Sequence, residues 1–201
     1  FCQDTIRTTD GEGRMPNTND EDSWKRAWAY KDHGKSFDAV YKQGQPPGFR
    51  WLHESFGTNW RMTEMQAAIG RIQLKRMDAW HAARKRNAEA IFDAARSSVA
   101  LRVPNIPDDI EHAWYKCYVF VRPENLRSGW DRDRIMRSIN ERGVPCFSGS
   151  CSEVYLEKAF EDTEWRPAER LPVARELGET SLMFLVHPTL TEDEINLTCT
   201  V

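Results

Sequence analysis

Two short stretches of this sequence combine residue types that suit an anionic ligand. Asn59, Trp60 and Arg61 stand just before a helical pattern, where free backbone N–H groups and a planar guanidinium would suit a phosphate. Residues 8–13, Thr-Thr-Asp-Gly-Glu-Gly, could also turn closely around an anion, because glycine permits close backbone approach. By themselves, the residues favour ordinary alternatives: a helix cap with a surface ion pair, and a surface turn.

The cysteines and histidines form no familiar metal or nucleophile motif. The sequence has five of each without CxxC or HExxH spacing, so we expect no metal site. Cys151 is better interpreted as a small loop residue than as a nucleophile, since the sequence indicates neither a base nor an electropositive setting for it. His187 follows an apolar run and could either face a cleft or cap the end of a strand. An odd number of cysteines favours reduced thiols in a cytoplasmic protein.

Composition indicates an ordinary globular protein. The 201 residues are 40% apolar and 29% charged, with a net charge of −3. Acidic and basic residues are interspersed, so nothing indicates binding to nucleic acid or an anionic membrane. The longest apolar runs, 117–121 and 182–186, are far shorter than the roughly 20 residues of a membrane-spanning helix. Small-molecule or protein partners are therefore favoured.

Local patterns in the first half predict helices around a long loop. We expect a helix over residues 24–33, ending at Gly34, and an ordered loop over residues 35–59. From Met62 onward, apolar residues recur every three or four positions, which predicts long helices with a bend near Asp78. Thr63 is a candidate residue for the start of the first of these helices.

The second half predicts alternating strands and helices. The pattern favours strands at 112–121, 144–147 and 182–186, and helices at 131–142, 153–160 and 171–177, with another starting at Thr191. A loop covers residues 148–152. We therefore predict two contexts: the end of one domain over residues 1–60, and an α+β domain with linking long helices over residues 61–201.

Seven stretches in a fixed order carry a stronger signal than any one of them alone. They are Phe1-Cys2-Gln3-Asp4, Thr8-Thr9-x-Gly11-Glu12-Gly13-x-Met15, Thr18-Asn19-Asp20, Asp32-His33-Gly34-Lys35, the run of residues 59–70 (Asn-Trp-Arg-Met-Thr-Glu-Met-Gln-Ala-Ala-Ile-Gly), His112-Ala113-Trp114-Tyr115-Lys116 and His187-Pro188-Thr189-Leu190. In order and spacing they resemble the DegT/DnrJ/EryC1/StrS family of sugar aminotransferases. The resemblance covers nearly the whole chain.

The resemblance implies an α/β protein of the pyridoxal-phosphate transferase fold type I. The chain would be a C-terminal fragment with the end of the large α/β domain and a small α+β domain, and we expect it to bind the cofactor poorly by itself. The family implies pyridoxal phosphate as cofactor and a homodimer with active sites at the subunit interface. Its members transfer an amino group from a donor such as glutamate to a nucleotide-linked keto sugar, in polysaccharide or antibiotic-sugar biosynthesis.

The resemblance also implies roles for single residues. Thr5 occupies the position of the lysine that forms a Schiff base with the cofactor. Asn59 and Arg61 occupy positions whose side chains, in members of the family, reach across the dimer interface toward the cofactor phosphate. Residues 148–155, including Ser150 and Tyr155, and His187 lie near the sugar.

Position 5 is the most important departure from the family pattern. A threonine hydroxyl has no amine for a Schiff base and is no general base at neutral pH. Asp10 and Arg14 stand where the family has glycine, which adds about 1–3 kcal/mol of strain if the backbone needs a positive φ. These neighbouring changes favour a degenerate paralogue over a single substitution. A locally shifted alignment is the weakest explanation, because no other lysine precedes Lys25.

The sequence therefore leaves two functions open. One is a nucleotide-sugar aminotransferase that is inactive as written because of Thr5. The other is a non-catalytic family member that binds a sugar nucleotide or acts as a regulatory or scaffold subunit beside an active paralogue. A dehydratase of the same family would need histidine at position 5, and Thr5 argues against it.

Overall fold

A computed structural model describes residues 9, 13, 16–42, 44, 48 and 51–201. The chain divides into two compact units, Phe1–Arg76 and Met77–Val201. Thr5, Asp10 and Arg14 lie outside the described residues, so their predicted roles stay predictions. The predicted domain boundary at residue 60 also stays a prediction.

The described residues of the first unit form three helices: α1 (Glu21–Lys31), α2 (Phe37–Tyr41) and α3 (Glu64–Lys75). Helix α1 begins earlier than predicted because its N-cap is Asp20, whose Oδ2 accepts a hydrogen bond from the Ser23 backbone N–H at 2.8 Å. The prediction of a loop throughout residues 35–59 was wrong. Helix α2 lies within that range, and the Ser36 hydroxyl caps it by accepting from the Ala39 N–H at 3.0 Å.

The predicted helix start at Thr63 is confirmed. The Thr63 hydroxyl accepts from the Gln66 N–H, and the Gln66 side chain accepts in turn from the Thr63 N–H at 3.1 Å. This reciprocal arrangement satisfies two backbone donors that a helix start leaves without intrahelical partners. Helix α3 ends at Lys75 and α4 (Met77–Arg96) follows, so the predicted bend near Asp78 is a break at Arg76.

An antiparallel sheet forms the centre of the second unit. Its strands are β1 (Leu101–Arg102), β2 (Cys117–Val121), β3 (Cys146–Phe147) and β4 (Ser181–Phe184), in the order β1-β2-β4-β3. Alternate residues of β2 are buried, and all four residues of β4 are buried. Ile91 and Phe92 of α4 belong to the same apolar core.

Three more helices complete the second unit: α5 (Arg132–Glu141), α6 (Pro172–Thr180) and α7 (Glu192–Thr200). The predicted start of α7 is confirmed, because Thr191 and Glu194 form a reciprocal cap like the one at α3. None of the helices in the described residues has the length and apolar character needed to cross a membrane.

Two predictions in this unit are corrected by the structure. The strand predicted over residues 112–121 begins only at Cys117, because Trp114 has a φ of +52° and cannot continue a strand. Arg84 of α4 fastens this turn by donating from Nη1 to the Trp114 carbonyl at 3.3 Å. The helix predicted over 153–160 is two short 3₁₀ turns, Val154–Leu156 and Lys158–Phe160.

Candidate functional site

Asn59 and Arg61 lie at the end of a structure that we call the clasp, formed by residues 30–35 and residues 53–61. Backbone hydrogen bonds join the two segments. The His33 N–H donates to the Thr58 carbonyl at 3.0 Å, and the Thr58 N–H donates to the Tyr30 carbonyl at 2.7 Å. The Trp60 N–H donates to the Lys31 carbonyl at 3.0 Å. The backbone that carries the predicted phosphate ligands is therefore fixed on both sides of Asn59.

Two glycines make this close approach possible. Gly34 has a φ of +87°, and a Cβ built on it would lie 1.7 Å from the Ser55 carbonyl oxygen. A Cβ on Gly57 would lie 2.5 Å from the Gly34 nitrogen. No larger residue fits either position without moving the backbone, because both obstructions are main-chain atoms.

The side chains of the clasp form a charged cluster. Arg61 donates from Nε to Asn59 Oδ1 at 3.0 Å, and its Nη1 lies 3.6 Å from Asp32 Oδ1. The Lys35 Nζ lies 3.7 Å from the same carboxylate oxygen. The Asp32 side chain is only 16% exposed, whereas half of the Arg61 side chain is exposed. One largely buried carboxylate thus stands between two cations, and the cluster carries a net positive charge.

This donor set fits a phosphate group. Since Asn59 Oδ1 already accepts from Arg61, the Asn59 amide nitrogen is the group that remains to donate, and nothing in the described part of the chain accepts from it. The exposed guanidinium edge of Arg61 supplies further N–H donors and a permanent charge. Asn59 and Arg61, which the resemblance paired, are thus placed together by the structure.

Ser150 lies in a tight turn held by Tyr118 of β2. The Tyr118 hydroxyl donates to Ser150 Oγ at 3.3 Å and accepts from the Ser150 N–H at 3.0 Å. The preceding Gly149 has a φ of +91°, and a Cβ there would lie 2.3 Å from the Tyr118 ring. The turn that presents Ser150 is therefore fixed to the sheet.

Tyr155 belongs to a hydrogen-bonded cluster around a buried carboxylate. Its hydroxyl donates to Glu153 Oε1 at 2.6 Å and accepts from the Leu171 N–H at 2.9 Å. Arg170 donates two hydrogen bonds to the Glu153 carboxylate, and its Nε lies 2.8 Å from Oε1. The hydrogen bonds from Arg170, and then that from Tyr155, lower the pKa of Glu153 to about 2. This cluster ties the loop after Ser150 to the start of α6.

His187 follows β4, where its ring Nδ1 lies 2.8 Å from Thr189 Oγ1. Asn87 of α4 donates to the His187 carbonyl at 3.3 Å. No hydrogen bond in the described residues joins the side chain of His187 to Ser150 or Tyr155. The structure therefore places these three residues in separate local settings of the second unit, and their role near a sugar stays a prediction.

Sequence reasoning missed the residues that support these sites. Asp32 lay inside a recognised motif, but no role was assigned to it, and its contact with Arg61 spans 29 positions of sequence. Glu153 and Arg170 are 17 positions apart and belong to no motif. The only sequence signal for these pairs is an acidic residue in a loop together with a distant arginine. Because such combinations are common, they do not identify a site.

The sequence profile of the DegT/DnrJ/EryC1/StrS aminotransferase family matches residues 3–200. The chain belongs to this family. An aminotransferase structure from Psychrobacter cryohalolentis is 62% identical with a TM-score of 0.96, over 100% of this chain and 53% of that one. GDP-perosamine synthase of Escherichia coli O157:H7 is 26% identical over 99% of this chain and 48% of its own length.

A third similarity concerns the fold alone. The structure of E. coli GDP-4-keto-6-deoxy-D-mannose-3-dehydratase with bound hydrated pyridoxal phosphate has a TM-score of 0.70 and 21% identity, over 91% of this chain and 48% of that one. The predicted fold class, an α/β fragment of the pyridoxal-phosphate transferase type, is confirmed. The family depends on pyridoxal phosphate. The chain spans 35% to 49% of the length of five curated relatives that it matches.

Proposed function

We propose that this chain is part of a pyridoxal-phosphate-binding protein of the nucleotide-sugar aminotransferase type, and that the clasp binds the cofactor phosphate. The supporting observation is the 3.0 Å hydrogen bond from Arg61 to Asn59, at the end of a backbone fixed by Gly34 and Gly57. This hydrogen bond leaves the Asn59 amide nitrogen and the outer N–H groups of the guanidinium as adjacent hydrogen-bond donors. Adjacent donors with one permanent positive charge suit a phosphate better than a neutral ligand.

Membership of the family supports a proposal for the substrates. The name of GDP-perosamine synthase places that relative in nucleotide-sugar chemistry. We propose that the site of the whole protein is of the type that takes a nucleotide-linked keto sugar as acceptor and an amino acid such as glutamate as donor. We also propose a homodimer in which the exposed Asn59 and Arg61 side chains reach the cofactor of the partner subunit. Ser150, Tyr155 and His187 are the proposed sugar-side residues.

The cofactor, when bound, supplies the aldehyde that takes up the amino group and the ring that withdraws electrons from the reacting carbon. In this proposal, Arg61 offsets the phosphate charge and Asn59 donates a hydrogen bond to a phosphate oxygen. Both interactions fix one end of the cofactor. Binding energy from such a remote group positions the reacting end.

Position 5 determines whether the protein is active. The Thr5 hydroxyl can neither attach the cofactor through an amine nor accept a proton from the substrate carbon at neutral pH. We therefore propose that the protein retains a cofactor site but does not catalyse amino transfer. A non-catalytic role, such as binding a sugar nucleotide or pairing with an active paralogue, is the second candidate; the combination of Thr5 with an intact Asn59–Arg61 pair favours it.

The test uses the full-length gene product with Thr5 as found, with Thr5→Lys, and with Thr5→Arg as a control that adds charge without a nucleophilic amine. Each protein is mixed with pyridoxal phosphate, its visible spectrum is recorded, and glutamate is then added. We expect only Thr5→Lys to gain the absorbance band of covalently bound cofactor, and glutamate to bleach that band. If all three proteins bind the cofactor and none gains the band, the site departs from an aminotransferase site beyond position 5, and the second candidate replaces the first.

A further inference from the structure

We infer that Asp32 is a positioning residue for the cofactor phosphate, because it holds the Arg61 guanidinium in the orientation that phosphate binding requires. This inference rests on the proposed function and adds the residue that controls the phosphate ligands. Asp32 itself does not touch the phosphate. Its carboxylate acts through Arg61, and through Arg61 on Asn59.

Asp32 sits where the two segments of the clasp meet. Its backbone pairs with that of Asn59 in an antiparallel bridge, and three residues later Lys35 pairs with His53 in the same way. The carboxylate and the Asn59 side chain therefore share one rigid local frame. A movement of Arg61 relative to Asp32 is also a movement relative to Asn59.

The carboxylate holds Arg61 by charge alone. Asp32 Oδ1 is buried and accepts no hydrogen bond in the described part of the chain, yet it lies 3.6 Å from Arg61 Nη1 and 3.7 Å from Lys35 Nζ. A buried polar atom without a hydrogen bond is uncommon in folded proteins. Here the two neighbouring cations compensate the buried charge. Because the guanidinium forms no hydrogen bond with Asp32, its Nη groups are not committed to a hydrogen bond in the described residues and can donate to an anion.

Removal of this charge has two opposing consequences. Without the carboxylate, the Lys35 and Arg61 cations face each other uncompensated, and the half-exposed Arg61 side chain turns toward solvent. The phosphate would then have to order Arg61 again on binding, which weakens its affinity. A purely electrostatic role predicts the reverse, since the loss of a negative charge near a phosphate strengthens binding. The sign of the change therefore separates positioning from a simple charge effect.

The experiment measures the phosphate preference of the full-length protein, with Thr5 as found so that no covalent bond contributes. Equilibrium dialysis gives the dissociation constants of pyridoxal phosphate and of pyridoxal, which lacks the phosphate, and their ratio isolates the phosphate contribution. We expect Asp32→Asn to lower the preference for pyridoxal phosphate about tenfold, which corresponds to about 1.4 kcal/mol. The matched control is Asp38→Asn. Asp38 Oδ1 also lacks a hydrogen bond in the described residues and pairs with Lys42 at 3.0 Å, so this variant should keep the preference.

A second variant protects the test against misfolding. Asp32→Glu keeps the charge but moves the carboxylate by one methylene group. A positioning role therefore predicts a lower preference for pyridoxal phosphate, and a pure charge effect predicts an unchanged preference. If the preference for pyridoxal phosphate is unchanged or increased in Asp32→Asn, the inference about Asp32 is overturned, while the proposed phosphate site stands. If only Asp32→Glu folds, an unchanged preference in that variant has the same meaning. A protein that binds both compounds equally well before any substitution at Asp32 overturns the proposed phosphate site, and this inference with it.

Discussion

The second unit contains one buried apolar core, whereas several of the largest apolar side chains in the described part of the first unit are exposed. Val119 and Leu182 in the sheet are 0% and 1% exposed, but Trp51 and Phe56 in the first unit are 89% and 100% exposed. Burial of apolar surface therefore stabilises the second unit. In the described part of the first unit, helix caps, the backbone hydrogen bonds of the clasp and contacts among the rings of Trp24, Trp28 and Phe37 hold the elements together.

This difference shows how each unit holds its candidate site. In the second unit, the Ser150 N–H donates a hydrogen bond to Tyr118 of the well-packed sheet, so the sheet fixes the position of Ser150. In the first unit, Asn59 and Arg61 depend on two glycines and one carboxylate. Substitutions should therefore act in different ways: core truncations should unfold the second unit, and clasp substitutions should loosen the proposed phosphate ligands locally.

The largest effect is expected from Leu182→Ala in β4. Truncation of a fully buried leucine removes apolar burial and leaves a cavity, which costs about 2–5 kcal/mol. Urea titration of the full-length protein, followed by hydrogen exchange in residues 117–121, measures the loss. Leu197→Ala makes the same chemical change at a side chain that is 46% exposed and should cost far less. Equal losses in the two variants would refute the core that we assign to this unit.

A smaller and local effect is expected from Gly34→Ala in the clasp. The new Cβ would collide with the Ser55 carbonyl, and an alanine at a φ of +87° adds about 1–3 kcal/mol of strain. Hydrogen exchange should become faster at the Thr58 and Trp60 amides and stay unchanged in β2 and β4. Gly44→Ala is the control, because a Cβ there meets no atom within 4 Å. If both variants behave alike, the clasp does not depend on close backbone approach.

The smallest effect is expected at Glu153, because its partner Arg170 is 40% exposed and solvent screens their pairing, and this effect depends on pH. Its pKa falls from an unfolded value near 4.5 to about 2 in the folded protein, chiefly through Arg170, so the stabilisation is fully present above pH 4.5 and is lost as the pH falls toward 2. The difference in unfolding free energy between the natural protein and Glu153→Gln should therefore shrink over that range. Glu89→Gln removes a carboxylate from an exposed pair with Lys85 and serves as the control variant. A difference that does not change between pH 6 and pH 2.5 would contradict the assignment.

Local signals explain which elements could be predicted from the sequence. The starts of α3 and α7 were predictable because Thr63 and Thr191 act on residues three positions away. The turn at Trp114 was not, because its positive φ is stabilised by Arg84, 30 positions earlier. Helix α2 was missed because its five residues are too few to show a helical repeat.

The candidate site shows the same limit. Asn59 and Arg61 were found because they belong to one short motif that resembles the family pattern. Asp32 acquires its role only when the clasp brings residues 30–35 next to residues 53–61. Sequence reasoning therefore identified the groups proposed to touch the phosphate, and the structure was needed to find the group that holds them.

The measurement that tests the central claim most directly is a map of where the cofactor attaches. The full-length Thr5→Lys protein is incubated with pyridoxal phosphate, reduced with borohydride and digested, and the labelled peptide is identified by mass. We predict one label, at position 5, and no label in the protein that retains Thr5. A label on another lysine, or no label although the protein binds pyridoxal phosphate, would contradict the claim that Thr5 replaces the covalent attachment residue of an aminotransferase site.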